Sequence, residues 1–103
     1  MTSEIYITQL IYIKEGQEEA FHQFEHIAIP AIARYKGCLL LRCRPNTDSF
    51  IELNMEKPYE IHLVKFESQQ DFDNFKNDKE RQKFLHLKEQ SIRSAVLIQG
   101  TKL

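Results

Sequence analysis

The N-terminal segment shows the clearest pattern of hydrophobic and polar positions in the chain. Within residues 4–13 the apolar side chains alternate between the two sides of an extended backbone, which predicts a β-strand. One side carries Ile5, Ile7, Ile11 and Ile13, and the other carries Tyr6, Leu10 and Tyr12. A strand that is apolar on both sides is typical of a sheet whose two faces are both covered.

A helical spacing replaces this alternation in the next segment. Apolar residues recur three and four positions apart from Phe21 to Tyr35, which predicts a helix that packs on the sheet. Pro30 predicts a kink or a break near Ile29, because proline has no N–H to continue the helical hydrogen bonds. Gly37 is the expected left-handed C-cap of this helix.

The rest of the chain predicts three more strands and a second helical region. The strands are CLLLRCR at 38–44, YEIHLVKF at 59–66 and RSAVLIQG at 93–100. Ser68 is the expected N-cap of the helical region, which should break around Asn77 and Asp78 and resume as far as Ser91. Residues 50–57 alternate only weakly, and this pattern fits either an extension of a hairpin or a mobile flap.

The order strand, helix, strand, strand, helix, strand is that of the ferredoxin-like βαββαβ arrangement, an α+β fold. In this fold two helical regions cover one face of a four-stranded antiparallel sheet. The length of 103 residues predicts a single domain over residues 1–103. Because the first strand is apolar on both sides, the bare face of the sheet predicts a homodimer that buries it.

Composition narrows the class of protein further. The 14 basic and 15 acidic residues are interleaved, which argues against a nucleic-acid partner. No apolar run approaches the roughly 20 residues of a membrane helix, so we expect no membrane partner. The N-terminus lacks the basic start and apolar stretch of a secretory signal, which favours a cytoplasmic location.

The two cysteines lie on one predicted strand. Cys38 and Cys43 are an odd number of residues apart, so we expect their side chains on opposite faces, too far apart to bridge. Without CxxC or CxxH partners they fit reduced core thiols better than a disulfide or a zinc site.

Four stretches, FHQFEHIAIPAIARYKGCLLLR, VKFES, FKNDKERQKFLHLKEQ and VLIQG, resemble a family of small bacterial domains of unknown function. That family belongs to the dimeric α+β barrel superfamily, which is ferredoxin-like and includes relatives of antibiotic-biosynthesis monooxygenases. That family has a typical aromatic residue, a proline, a tyrosine-glycine turn and an arginine. In this sequence these positions are Phe21, Pro30, Tyr35, Gly37 and Arg42.

The sequence departs from that family pattern at three positions. Lys36 stands where the family has a first glycine, Arg81 where it has a tyrosine, and Lys88 where it has an arginine. The superfamily includes cofactor-free monooxygenases, haem-degrading enzymes, isomerases and members without known activity. The resemblance therefore implies a dimeric α+β barrel but selects no chemistry.

The segment HQFEH at residues 22–26 matches the H-x-x-E-H motif of inverzincin metalloproteases. His22 and His26 are one helical turn apart and could chelate zinc. On a helical wheel, however, both lie far from the apolar stripe of Phe21 and Phe24, so we expect them to face solvent and expect no catalytic metal.

His62 is the candidate catalytic residue. It lies within a predicted strand with Glu60, Val64 and Phe66 on its face, and a buried histidine can transfer a proton. The alternative is a core histidine hydrogen-bonded to Glu60 or to backbone, which the absence of a neighbouring nucleophile favours. Gln9, an amide among isoleucines, should meet a ligand or pair across the dimer.

Arg42 and Arg44 are candidate ligand-binding residues. They are two positions apart on one strand, so they share a face and could hold a carboxylate with bidentate hydrogen bonds. The alternative is a strand end at which they pair with Glu52 or Glu60.

These residues together predict a dimeric small-molecule-binding or enzymatic domain that acts on an apolar or aromatic acid, as a monooxygenase or an isomerase would. In the enzymatic version His62 moves a proton, Arg42 fixes the acid group, and no cofactor is needed. The alternative is a non-catalytic homodimer that binds a metabolite or a protein through residues 50–57.

Overall fold

Strands and helices follow one another in the predicted order along residues 3–103, the part of the chain that the computed structural model describes. The strands are β1 (Ile5–Ile13), β2 (Gly37–Cys43), β3 (Glu60–Phe66) and β4 (Ile92–Gly100). The helices are α1 (Glu18–Arg34), α2 (Gln69–Lys76), α3 (Lys79–Lys83) and α4 (Leu85–Ser91). A short 3-10 turn covers Thr47–Ser49.

The four strands form one antiparallel sheet in the order β2-β3-β1-β4. In its register Ile7 lies opposite Val64, and Gln9 lies between His62 on β3 and Leu97 on β4. This strand order and the α+β class confirm the predicted ferredoxin-like fold.

The helices cover one face of the sheet, which we call the inner face. Every second residue of β3 is buried on the inner face. The residues between them lie on the outer face, where they are half-buried. The inner-face core brings together side chains from the sheet, α1 and α2: Ile5, Ile7, Ile32, Val64, Phe66 and Phe72.

Helix α1 has no break at Pro30, so that part of the prediction is wrong, while a kink near Ile29 stays a prediction. The helix runs without a break from Glu18 to Arg34 across this proline. The ring removes one backbone hydrogen bond, but Ala28, Ala31 and Ile32 on the same helix are buried in the fold. Tertiary packing therefore keeps the helix continuous.

The end of α1 corrects the expected cap. Lys36, not Gly37, takes the left-handed conformation, with φ of 60°. Gly37 begins β2, and a Cβ there would lie 2.6 Å from Ile32 Cγ2 and 2.7 Å from Phe66 Cε1. Glycine is therefore required for the close approach of β2 to the helix and to β3.

A bulge in β2 corrects the prediction for the cysteines. Leu39 pairs with Val64 but Leu41 pairs with Leu63, so the register shifts at the residue between them. Cys38 and Cys43 therefore lie on the same, outer face, where both are free and exposed rather than buried in the core. Their partners are four residues apart on β3, roughly 13 Å, so a bridge between them remains too long.

The second helical region has the predicted N-cap and break. The Ser68 side chain accepts a hydrogen bond from the Asp71 backbone N–H, and Asn77 ends α2. The sequence missed a further break at Phe84, which ends α3 and precedes α4. Each of these helices is therefore short.

Residues 50–57 are neither helix nor strand, so they do not extend the hairpin. The segment is attached near its C-terminal end: the Tyr12 hydroxyl donates to the Glu56 carbonyl at 2.8 Å, and Arg93 forms an ion pair with the Glu56 carboxylate. The side chains of Ile51 and Met55 are exposed.

We predict that Gly37→Ala destabilises the fold by about 1–3 kcal/mol, the usual cost of adding a methyl group to a tightly packed site. Gly100→Ala, in which the new Cβ has nothing within 4 Å, should change stability little. Urea unfolding of both variants measures the difference. Equal stability of the two variants would contradict the close approach at Gly37.

Candidate functional site

A cavity of about 210 Å³ lies between the helices and the inner face of the sheet. Its wall is mostly apolar and includes Phe21, Phe24, Val64 and Phe75. Six polar or charged side chains also line it: Gln9, Glu25, His62, Lys76, Arg81 and Lys88. An apolar space with a few polar groups in its wall is the usual form of a small-molecule site.

Two carboxylates and a histidine form a buried cluster at this cavity. Glu25 comes from α1, where it lies one turn after Phe21 on the buried side of the helix, and Glu60 and His62 come from the inner face of β3. His62 Nε2 lies 2.5 Å from Glu60 Oε2 and 3.0 Å from Glu25 Oε2. Glu25 Oε2 accepts no well-aligned hydrogen bond, so the second contact is an ion pair when His62 is protonated.

Arg42 lies on β2 and Arg44 directly follows the end of β2. Both arginines neutralise the same two carboxylates. Arg42 donates to Glu25 Oε1 at 2.7 Å and to Glu60 Oε2 at 3.2 Å. Arg44 donates to Glu60 Oε1 at 2.7 Å. Both guanidinium groups are partly exposed and, together with Glu60, border an open groove outside the cavity.

The cluster shifts the proton affinities of its members in different directions. Burial raises the pKa of Glu25, and the neighbouring carboxylate adds to this effect, while His62 opposes it. Burial also acts to raise the pKa of Glu60, but hydrogen bonds with His62, Glu25 and Arg44 hold it well below its usual range. For His62, burial acts to lower the pKa, but the contacts with both carboxylates raise it overall.

The cluster can therefore hold and move a proton beside a ligand. Glu25 and His62 line the cavity. Glu60 borders the open groove outside the cavity, beside Arg42 and Arg44. The raised pKa values of Glu25 and His62 both favour retention of a proton in this cluster. General acid and base catalysis requires such a group within reach of the substrate.

Glu25, Glu60 and His62 are also close enough to hold a metal ion, since one ligand atom from each lies within 4.8 Å of the others. The Arg42 and Arg44 guanidinium groups already compensate these carboxylates. A divalent cation would meet two like charges there.

A second set of charged groups belongs to the short helices. Arg81 on α3 and Lys88 on α4 both line the cavity. Burial lowers the pKa of Arg81, and burial and repulsion by Arg81 lower the pKa of Lys88. Both cations are thus held where a positive charge is poorly solvated.

The structure brings three of the four predicted site residues into one network. His62 contacts Glu60 as the core-histidine alternative expected, and Arg42 and Arg44 pair with Glu60 as their alternative expected. Their roles in catalysis and ligand binding stay predictions. Gln9 lies opposite His62 and lines the cavity.

Sequence reasoning missed Glu25, which is the glutamate of the HQFEH segment. A charged residue at a core position of an amphipathic helix was the available signal. The two histidines of that segment lie elsewhere: His26 is exposed, and His22 Nε2 contacts the Tyr59 hydroxyl at 2.8 Å. Within residues 3–103 neither histidine joins a group of three possible metal ligands.

Comparison with solved structures places the fold among ferredoxin-like proteins. A protein of unknown function from Rhodopseudomonas palustris matches with a TM-score of 0.82 at 13% identity, over 100% of this chain and 85% of that one. A NIPSNAP family protein of unknown function from Agrobacterium tumefaciens matches with a TM-score of 0.69 at 17% identity, over 96% and 87%. A Dabb family protein with a ferredoxin-like fold from Mesorhizobium loti matches with a TM-score of 0.70 at 12% identity, over 97% of both chains.

At these identities the likeness establishes the fold and no activity. It agrees with the resemblance to small bacterial ferredoxin-like domains that the sequence indicated. The chain matches no protein-family model, and the search of curated proteins found no match. None of the helices in the described residues is long and apolar enough to cross a membrane.

We predict that stability falls as the pH rises above about 6.5. A raised pKa in the folded state means that protonated His62 stabilises the fold fully below its unfolded pKa of about 6.5, and that this contribution disappears as the pH rises through the folded value. Glu25, whose pKa is also raised, acts in the same direction. Glu60 acts oppositely: its stabilisation is lost as the pH falls below about 4.3.

Calorimetry from about pH 5 to about pH 9 measures this dependence. His62→Gln should flatten the decline above neutral pH, because the titrating group is gone. His26→Gln, at the exposed histidine of α1, should keep the profile of the unmodified protein. Identical profiles for the two variants would contradict a titrating His62.

Proposed function

We propose that the protein is a homodimer that binds a small apolar or aromatic acid in the cavity and moves a proton at His62 without a cofactor. The single observation that supports this most is the apolar cavity with Glu25 and His62 in its wall. A purely structural core would have no need of a proton-holding pair beside an open space.

The cavity volume sets the size of the ligand. An engineered apolar cavity of about 150 Å³ holds benzene, so about 210 Å³ accommodates one aromatic ring with a small substituent. Phe21, Phe24 and Phe75 offer aromatic surfaces for such a ring. A one-ring acid is therefore the ligand class that we propose.

The chemistry proposed for the enzymatic version is proton transfer. The raised pKa of Glu25 makes its carboxylate a stronger base than that of an exposed glutamate, and His62 adjoins it as the second proton carrier. Arg42 and Arg44 would act as positioning residues, since they hold Glu25 and Glu60 in place. Isomerisation or cofactor-free oxygenation would both begin with removal of a proton from the ligand.

The homodimer is proposed from the outer face of the sheet. Leu10 lies between Ile61 and Val96, and Leu41 lies opposite Leu63, so their side chains form a continuous apolar surface. Leu41 and Val96 are 48% and 41% exposed. An exposed apolar surface across several strands usually marks an interface, and a two-fold pair is the commonest solution.

A non-catalytic binding protein is the second candidate, favoured by one observation. Residues 50–57 expose Ile51, Leu53 and Met55, three apolar side chains at alternate positions of an irregular segment. A protein partner could be held there without any chemistry in the cavity.

Binding of a one-ring acid is expected to depend on the free volume of the cavity. Ala28 is buried in the cavity wall, so Ala28→Leu should fill the space and abolish binding of 4-methylbenzoate. Ala33→Leu, on the exposed side of the same helix, should leave binding unchanged. NMR titration at millimolar ligand measures both. If neither 4-methylbenzoate nor its neutral amide binds the unmodified protein, the proposal is wrong.

Charge on the outer face should separate the proposed dimer. Leu63→Arg places a cation in the middle of the apolar surface and should yield a monomer at micromolar concentration in light scattering. Gln82→Arg, on exposed α3, should remain dimeric. A monomeric unmodified protein would contradict the proposal. If Ile51→Arg dissociates the dimer and Leu63→Arg does not, the interface lies at residues 50–57 instead.

A further inference from the structure

Arg81 is a cation without a matching carboxylate at its side chain. Its Nε is buried and has no hydrogen-bond partner, and its Nη1 donates only to the Lys76 carbonyl at 3.1 Å. The guanidinium lies over the rings of Phe24 and Phe75, 5.7 and 5.3 Å from their centroids. These contacts fix the position of the charge but do not neutralise it.

Asp78, whose charge favours the protonated form of Arg81, forms its hydrogen bonds with other groups. Asp78 Oδ1 accepts the backbone N–H of Arg81 as the cap of α3, and Asp78 Oδ2 accepts hydrogen bonds from Arg34 and Tyr35. Asp78 is therefore part of the link between α1 and α3, and the Arg81 side chain makes no ion pair with it in the described residues.

Lys88 adds a second positive charge to the same part of the cavity. It projects from α4, is partly buried, and forms no ion pair within residues 3–103. Two like charges brought together in an apolar wall destabilise the unliganded fold unless an anion lies between them.

The cation pair differs from Arg42 and Arg44, which border the open groove outside the cavity. Arg42 and Arg44 have buried carboxylate partners, so they have little attraction left for an anionic ligand. Lys76, the third cation of the cavity wall, pairs with Asp73, so the cations of the wall that form no ion pair in the described residues are Arg81 on α3 and Lys88 on α4.

We propose that Arg81 and Lys88 bind the carboxylate of the ligand, with the apolar body of the ligand directed along the aromatic wall toward Glu25 and His62. This inference rests on the proposed function and names the residues that recognise the acid, in place of Arg42. The ligand class is a monocarboxylate on a single apolar or aromatic ring.

The test compares 4-methylbenzoate with 4-methylbenzamide, its neutral counterpart, by NMR titration near neutral pH. The unmodified protein should bind the carboxylate at least about tenfold more tightly than the amide, since a charged hydrogen bond contributes roughly 1.5–3 kcal/mol. Arg81→Met and Lys88→Met should each lower carboxylate affinity by about tenfold and leave amide affinity nearly unchanged. Lys83→Met, on the exposed side of α3, removes the same charge and should keep the preference.

Three results separate this inference from the proposed function. Equal binding of acid and amide by the unmodified protein would overturn the cation pair but leave a cavity that binds apolar molecules. A loss of preference in Lys83→Met as large as in Lys88→Met would also overturn it. The preference for the acid would then depend on the overall positive charge and not on the position of Lys88. Absence of binding by both probes would overturn the proposed function and this inference together.

Thermal unfolding without ligand provides a measurement that does not depend on any probe. Because each cation is poorly solvated and repels the other, Lys88→Met should unfold at the same or a higher temperature than the unmodified protein. A lower unfolding temperature for Lys88→Met would contradict the poorly solvated, repelled charge from which the anion-binding role is inferred.

Discussion

Two carboxylates buried between a helix and a sheet constrain the rest of this structure. Glu25 and Glu60 are 3% and 1% exposed, and an uncompensated buried carboxylate costs several kcal/mol. Compensation comes from Arg42 and Arg44 at the edge of the sheet and from His62 beside them. Helix α1, β2 and β3 must therefore keep fixed positions relative to one another. The buried carboxylates are compensated only when all three elements are in place.

The same network divides the charges of the cavity wall. One side holds carboxylates that form ion pairs with Arg42 and Arg44, and the short helices hold two cations that form no ion pair in the described residues. An acid with an apolar body would be attracted to these two cations. The proton-holding groups would then face the part of the ligand that carries no charge.

The fold was predictable because its signals are local. Alternation in β1 and three-and-four spacing in α1 specify the elements, and their order specifies the ferredoxin-like arrangement. The site was only partly predictable, since it joins residues of three distant segments. His62, Arg42 and Arg44 stood out as polar groups on strands. The bulge after Leu39, however, depends on the partner strand. The position of Arg81 and Lys88 at the cavity depends on how α3 and α4 pack.

The central claim is that His62 holds a proton against two carboxylates at the cavity wall. Nitrogen NMR of the His62 imidazole, followed across pH, tests this claim most directly. We predict that His62 titrates above the ordinary histidine value of about 6.5. A His62 that is neutral at pH 6 would contradict the buried proton and the chemistry proposed from it.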